Sequence, residues 1–372
     1  ENTYPGVACD VPAHMYTYSF RGNPEWQHRF ARGDEIQAYF EQVAAENGIT
    51  EQIRFGESLD ACHYHDGKWQ LTTGKGNQLE VDFVFSATGI LHHPAYPEIE
   101  GLGSFKGDTW HTARWNHDVD LAGKRVGIIG TGSTAAQVIG EIAEVAGHLT
   151  VFQRTPQWIV SVPDKHYSEQ DKAALRGKQG RMTTLSKRYA FAMRNSFTKG
   201  VSGGKLQHAF ISWAAKRNLR KSVRDPELRA KLTPDYAVGC KRLIINSTFY
   251  AAVQRENTLL ETTAISRISP DGVVTSDGVE HQLDVLILAT GFKPFEFMRP
   301  MDLKGRDGLD INTVWERKFQ AYRSVCLPGF PNFFLMLGPH SPIGNYSVIA
   351  MSEVQTAYIL KLIECWKRGE LE

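Results

Sequence analysis

The sequence predicts a doubly wound α/β fold, on three observations. A short apolar run, Lys124–Ile129, enters a glycine-rich turn at Gly130–Ala135 and then a helical run, Ala136–Ala143. A strand-like run followed by Ala-Thr-Gly occurs twice, at Leu79–Gly89 and at Leu283–Gly291. Between these lies a long stretch, 165–234, dominated by helix formers. A strand, a crossover helix and a second strand of this spacing make a parallel pair. Strands alternating with helices argue for a parallel sheet with helices packed on it.

Taken in chain order, Leu79–Phe85 reads as one strand running into Ala87-Thr88-Gly89. Lys124–Ile129 is apolar at strand length. The helix after it is followed by a second strand, His148–Phe152. Residues 165–234 read as a helical insertion, broken near Gly200–Gly204. Thr263–Thr275 reads as meander strands with a turn at Pro270-Asp271-Gly272. Leu283–Leu288 is the last strand before Ala289-Thr290-Gly291-Phe292.

Composition narrows the class. With 372 residues the chain can bury a large core, and its length favours two domains or one large one. Forty-two basic against 41 acidic side chains leave a net charge of +1, which gives no global reason to expect nucleic acid. No apolar run reaches the length of about 18 residues that a membrane span needs. Neither a basic leader nor an apolar one opens the sequence, so no signal peptide is expected. Cys9, Cys62, Cys240, Cys326 and Cys365 are odd in number and far apart, with no C-x-x-C. That argues against a disulfide framework, a zinc knuckle and a dithiol pair, and for a reducing, cytoplasmic setting.

Charge is unevenly placed. Residues 165–234 hold 17 Lys+Arg against 4 Asp+Glu. We read this chiefly as a solvated basic face. The sharper alternative is a positive surface that steers an anionic cofactor or touches a membrane surface peripherally.

The chemistry starts at the glycine-rich turn. A Gly-x-Gly-x-x-Ala motif is weak alone, but here it joins a strand to a helix. Gly130 permits the tight turn, Gly132 lets the backbone approach a pyrophosphate, and Ala135 allows close helix–strand packing. The phosphate charge then meets the helix N-terminus. An NAD enzyme places Asp or Glu after the second strand for the ribose hydroxyl. This chain has Gln153-Arg154-Thr155 there. An arginine fork suits a 2′-phosphate, so the expected cofactor is NADP(H).

Several separated motifs then carry a resemblance. Phe105-x-Gly107-x-x-x-His111-x-x-x-Trp115 is similar to the fingerprint of the class B flavin-dependent monooxygenases, in the form found in their type I Baeyer–Villiger branch. Asn116 departs from the Pro or Asp usual after that Trp. Tyr4–Asp10, continuing to Tyr16 and Tyr18-Ser19-Phe20, resembles the family's flavin-contacting segment. Phe152–Pro156 resembles its NADP-binding turn, and Cys240-Lys241-Arg242 its active-site Lys-Arg pair. The two Ala-Thr-Gly elements resemble its domain-linking elements. Phe330–Phe334 and Gly338–Pro342 resemble a late segment near the flavin.

The resemblance implies two dinucleotide-binding, Rossmann-like domains, with the NADP domain inserted in the FAD domain and carrying the helical insertion. The FAD domain would comprise 1–118 and 266–372, and the NADP domain 119–265. FAD and NADP(H) would be the cofactors. Asp10, Val11, Tyr16, Leu59, Thr88, Gly89, Thr290 and Gly291 would join the cofactor set. So would Gly130, Thr131, Gly132, Ser133, Thr134, Ala135 and Gln137, together with Arg154, Thr155 and Lys241. The family's first glycine-rich fingerprint, which holds the FAD pyrophosphate, is not found upstream of Tyr4. On this basis the chain is expected to be a fragment truncated at both ends.

The implied reaction is oxygen insertion from O₂ beside a ketone carbonyl, through a flavin C4a-peroxide, giving an ester or lactone. Arg242 would be the fixed cation beside the peroxide anion, held by Asp10, and Lys241 would meet the NADP phosphate. His111 and Trp115 would lie between the two dinucleotide domains. An N- or S-oxygenating relative acting on amines or sulfides is the alternative, as is an inactive NADP-binding chain. A flavin disulfide reductase would need a redox cysteine pair. Gly200–Lys205 misses the spacing of a phosphate loop. His63-x-His65 and His92-His93 lack partners at metal spacing, so no metal is expected.

Overall fold

A computed structural model describes residues 2–296, 298–341 and 346–371. The chain packs as two compact units. Unit 1 holds Glu1–His14, Asn23–Gln37 and Pro94–Phe292; unit 2 holds Met15–Gly22, Ala38–His93 and Lys293–Glu372.

Unit 1 is built on a five-stranded, wholly parallel sheet. Its strands stand in the order Thr258–Glu261, His148–Phe152, Arg125–Ile129, Val285–Leu288 and Asp108–His111. Val126, Ile128, Leu149, Val151, Val285 and Ile287 are buried, as strands covered on both faces require. The helix Ser133–Val145 packs on them through Ala135, Ala136, Val138, Ile139, Ile142 and Ala143, a helical-period face. Ile265–Ser269, Gly272–Thr275 and Glu280–Gln282 form a separate antiparallel meander.

The insertion is helical as expected. Glu169–Ala173 starts from a Ser168/Asp171 capping box, and Gln179–Met193 follows. Lys205–Ser222 begins just past the Gly203-Gly204 break, and Pro226–Lys231 is capped by Asp225. The face of the insertion is not simply a solvated basic one. Leu206, Phe210 and Trp213 share one side of the long helix and are 83%, 60% and 54% exposed.

Unit 2 carries a sheet of Asp302–Lys304, Leu59–His65, Lys68–Thr73 and Gln78–Val81, in that order. Trp69 and Phe333 centre its core, and the Trp69 indole donates to the Pro331 carbonyl at 2.8 Å. A long helix, Val348–Lys367, closes the chain. No helix among the described residues is long and apolar enough to cross a membrane.

Two expectations change. Leu79–Phe85 is not one strand. Gln78–Val81 pairs antiparallel with Lys68–Thr73, whereas Val84–Ser86 pairs parallel with Phe333–Leu335. The chain changes sheets at Asp82-Phe83, and an unbroken strand-like pattern cannot mark such a change of partner. The division of the chain also differs from 118/119 and 265/266. Asp108–His111 and Val285–Leu288 pair in the nucleotide sheet, so the fingerprint and the second Ala-Thr-Gly element belong to unit 1.

Candidate functional site

Because all five strands of the parallel sheet run the same way, their carboxyl ends share one edge. That edge is where open α/β sheets bind ligands. Gly130 follows the Arg125–Ile129 strand, Gln153 follows His148–Phe152, and Ala289 follows Val285–Leu288. Thr112 follows the fingerprint strand.

The glycine-rich turn fits a nucleotide pyrophosphate. Gly130 has φ +115°, and a Cβ there would stand 2.5 Å from the Ala289 carbonyl oxygen. Gly132 is the N-cap of the Ser133–Val145 helix, with no side-chain cap and with open space where a side chain would lie. The first N–H groups of that helix are therefore left for an anion. Ala135 is fully buried against the sheet. Thr131 donates its hydroxyl to the Thr155 carbonyl at 3.0 Å, tying the turn to the Gln153–Thr155 segment. Ser133 is exposed and Thr134 partly so.

Arg154 is exposed, and among the described residues no carboxylate stands within ion-pair distance of it. Gln153 beside it is buried and donates to the Lys231 carbonyl at 2.8 Å. Lys241 lies over the Tyr236 ring at 4.7 Å. The Tyr236 hydroxyl bonds the Pro156 carbonyl at 3.1 Å and Gln157 Oε1 at 3.0 Å. Tyr236 thus brings the Lys241 loop to the Arg154 turn. Nothing in the sequence marks Tyr236, because an aromatic inside an irregular loop has no period.

Arg242 forms an ion pair with Asp10, through Nη2 and Oδ2. Two residues 232 positions apart are brought together just ahead of the short Ile244–Ile245 strand. Asp10 sits in the Tyr4–Val11 segment, which is clamped to the nucleotide helix. Tyr4 donates its hydroxyl to Gln137 Oε1 at 3.0 Å, and Gln137 Nε2 donates to the Ala8 carbonyl at 3.0 Å. Both ends of the Gln137 amide are therefore engaged within the protein. Val11 is buried, and burial pushes the neighbouring Cys9 thiol up to about 12, which keeps it protonated.

The fingerprint residues serve the sheet. Phe105 is in the core, and a Cβ on Gly107 would meet the Asp284 carbonyl oxygen at 2.4 Å. His111, 0% exposed, accepts at Nδ1 from the Ala113 N–H at 3.1 Å. Burial lowers its pKa, partly opposed by the Gly291 backbone and reinforced by Arg114. Nε2 has no aligned acceptor. Tyr96 and Phe292 flank the ring at 5.5 and 5.9 Å. Trp115 stands edge-on to Trp110 at 5.5 Å. Thr290 donates to the Ala95 carbonyl at 2.5 Å, and the Gly291 carbonyl accepts from the Ala95 N–H at 2.9 Å.

The remaining expected residues lie in unit 2: Tyr16, Leu59 at the start of its strand, and Thr88 and Gly89 beyond Val84–Ser86. The Tyr4–Phe20 segment is thus divided, its first part in unit 1 and Met15 onward in unit 2. Phe333–Leu335 pairs beside Val84–Ser86, while Pro342 lies outside the described residues. Among the described residues, the strand–glycine turn–helix cradle is the one at 125–145. It fits NADP(H), and a second cradle for the FAD pyrophosphate is not among them.

The nucleotide turn and the fingerprint strand in one parallel sheet agree with a flavin monooxygenase. The chain belongs to the flavin-binding monooxygenase-like family, which it matches over residues 2–303. It is 44% identical over 372 residues to an uncharacterized monooxygenase of Mycobacterium tuberculosis, covering 100% of this chain and 75% of that protein. It is 37% identical over 361 residues to a Baeyer–Villiger monooxygenase of Streptomyces coelicolor, covering 96% and 69%. A closed crystal structure of cyclohexanone monooxygenase superposes with TM-score 0.86 at 31% identity, covering 99% of this chain and 77% of that one.

Proposed function

We propose that the protein is a Baeyer–Villiger monooxygenase that uses FAD, NADPH and O₂ to convert a ketone into an ester or lactone. The Gly130–Ala135 turn of unit 1 is assigned to NADP(H), and the expected flavin-contacting residues fall in both units, Asp10 and Val11 in unit 1 and Tyr16 in unit 2. When bound, the two cofactors supply the reducing electrons and the activated oxygen. The residues of this chain bind, orient and polarise. The Gly130–Ala135 turn and the helix N-terminus hold the pyrophosphate of NADP(H). Arg154 and Lys241 take its 2′-phosphate, the first as a planar fork and the second as a point charge.

The Arg242–Asp10 pair carries the proposal. Ester formation passes through negative charge on oxygen. A guanidinium keeps its proton at any working pH, and a carboxylate partner fixes its direction. Such a fixed cation stabilises developing negative charge without reorganising. Thr155, Thr131 and Tyr236 position the nucleotide-binding segments rather than touching the reacting atoms.

The test is Arg242→Ala in enzyme loaded with FAD and NADPH. Flavin reduction by NADPH under anaerobic conditions should persist, and ester formation should fall by about a hundredfold or more, the scale of losing one preorganised charge. Retained ester formation overturns the role of Arg242. An N-oxide or S-oxide in place of an ester or lactone would assign the protein to the heteroatom oxygenases.

A further inference from the structure

Unit 1 contains a cavity of about 520 Å³ apart from the nucleotide edge, within the range of small-molecule sites. None of its lining residues belongs to the nucleotide edge or to the Asp10–Arg242 pair. Three cations line it: Arg29, Lys165 and Lys172.

Lys172 is 8% exposed, and its ammonium donates to the neutral Gln27 Oε1 at 2.6 Å. Among the described residues no carboxylate stands within ion-pair distance of it. Glu25 feels its charge, but Arg176 holds that carboxylate at 2.6 and 2.8 Å. Asp171 also lines the cavity and is engaged by Lys165 at 2.8 Å and by the Ser168 cap. Arg29 donates Nη1 to the Pro163 carbonyl at 3.2 Å, while its Nε is buried without an acceptor. The Tyr167 hydroxyl, beside Tyr189 and Arg29, is buried without an aligned partner. Taking a cation out of water is costly unless an anion compensates. Of the cavity's three cations, Lys165 is paired with Asp171, and Arg29 and Lys172 are left without a carboxylate among the described residues. Leu175, Leu185 and the ring of Tyr189 give it an apolar wall, and the polar side chains of His14 and Gln170 also line it.

We propose that this cavity binds a small organic acid, its carboxylate against Lys172 and Arg29 and its apolar body against Leu175, Leu185 and Tyr189. The inference is independent of the reaction proposed above. It is tested by titration calorimetry of the purified chain with benzoate, with uncharged benzamide and with inorganic phosphate. Benzoate should bind with a Kd below about 1 mM, and the other two at least about tenfold more weakly. Lys172→Gln and Arg29→Gln should each weaken benzoate about tenfold, and Arg154→Gln on the nucleotide edge should leave it unchanged. Leu185→Trp, which fills the cavity and keeps every charge, should abolish binding even where Lys172→Gln proves too unstable to assay. No binding of benzoate up to about 10 mM, or binding unaffected by all three cavity variants, overturns the site. Phosphate binding as tight as benzoate overturns its assignment to an organic acid.

Discussion

The turn at Gly130–Ala135 and the segment Phe105–Trp115 belong to the same sheet, and each depends on glycine, in opposite ways. Around Gly132 there is open space, and its φ of −71° suits any residue. At Gly107 there is none: the Asp284 carbonyl oxygen and the Phe105 ring would lie 2.4 and 2.7 Å from a Cβ. The first glycine keeps room for a ligand, and the second keeps room for the protein's own backbone. Two motifs equally legible as sequence patterns therefore act on different links of the chain of causes, one on binding and the other on packing.

Exchanging each glycine should pull the two apart most strongly. Gly107→Ala forces a backbone carbonyl to move, and overpacking of this kind costs about 3 kcal/mol. Urea unfolding should show that loss. Gly132→Val should cost less than about 1 kcal/mol of stability, since only the N-cap preference changes. It should instead weaken NADPH binding about a hundredfold, or about 2.7 kcal/mol, by blocking the pyrophosphate. If Gly132→Val unfolds the protein and Gly107→Ala chiefly weakens NADPH, the contrast is reversed.

A smaller effect is expected one strand along. Arg154 offers its fork from the exit of the His148–Phe152 strand, steadied through Thr131, Thr155 and Tyr236. Arg154→Gln should raise the Kd for NADPH about tenfold or more, the value of a charge-assisted hydrogen bond, and leave that for NADH nearly unchanged. Equal losses for both nucleotides would show that Arg154 does not read the 2′-phosphate.

Much of this was legible in the sequence for a physical reason. The turn, the strand ends and the Arg154 position follow from local periodicity and from a glycine pattern that a phosphate demands. The strand His148–Phe152 and the helix around Ala136–Ala143 stand where periodicity put them. What the sequence hid was non-local. The switch of partner at Asp82 lies inside one strand-like run. The bridging role of Tyr236 depends on a loop's path. The engagement of the Gln137 amide by Tyr4 and Ala8 depends on a contact across 133 positions in one case and 129 in the other. The Asp10–Arg242 pair was reached by resemblance, since no spacing rule joins residues so far apart.

The smallest effect concerns protons, and it tests the packing side alone. The Gly130–Ala135 turn contains no titrating side chain, whereas the fingerprint buries His111. Burial lowers the His111 pKa below its ordinary 6.5. Well above pH 6.5 the ring is neutral folded or unfolded, and it adds no pH dependence. Below that pH the unfolded chain takes a proton that the folded site refuses, until the pH falls through the lowered folded value. Stability must therefore drop with acid across that window. His111→Gln removes the titration and keeps a polar group that can accept from the Ala113 N–H. Unfolding free energies of the two proteins should converge as the pH is lowered from 7.5 to 5.5, with the wild type losing more. Parallel curves would mean that His111 titrates normally in the fold, and that the fingerprint holds its histidine in contact with water.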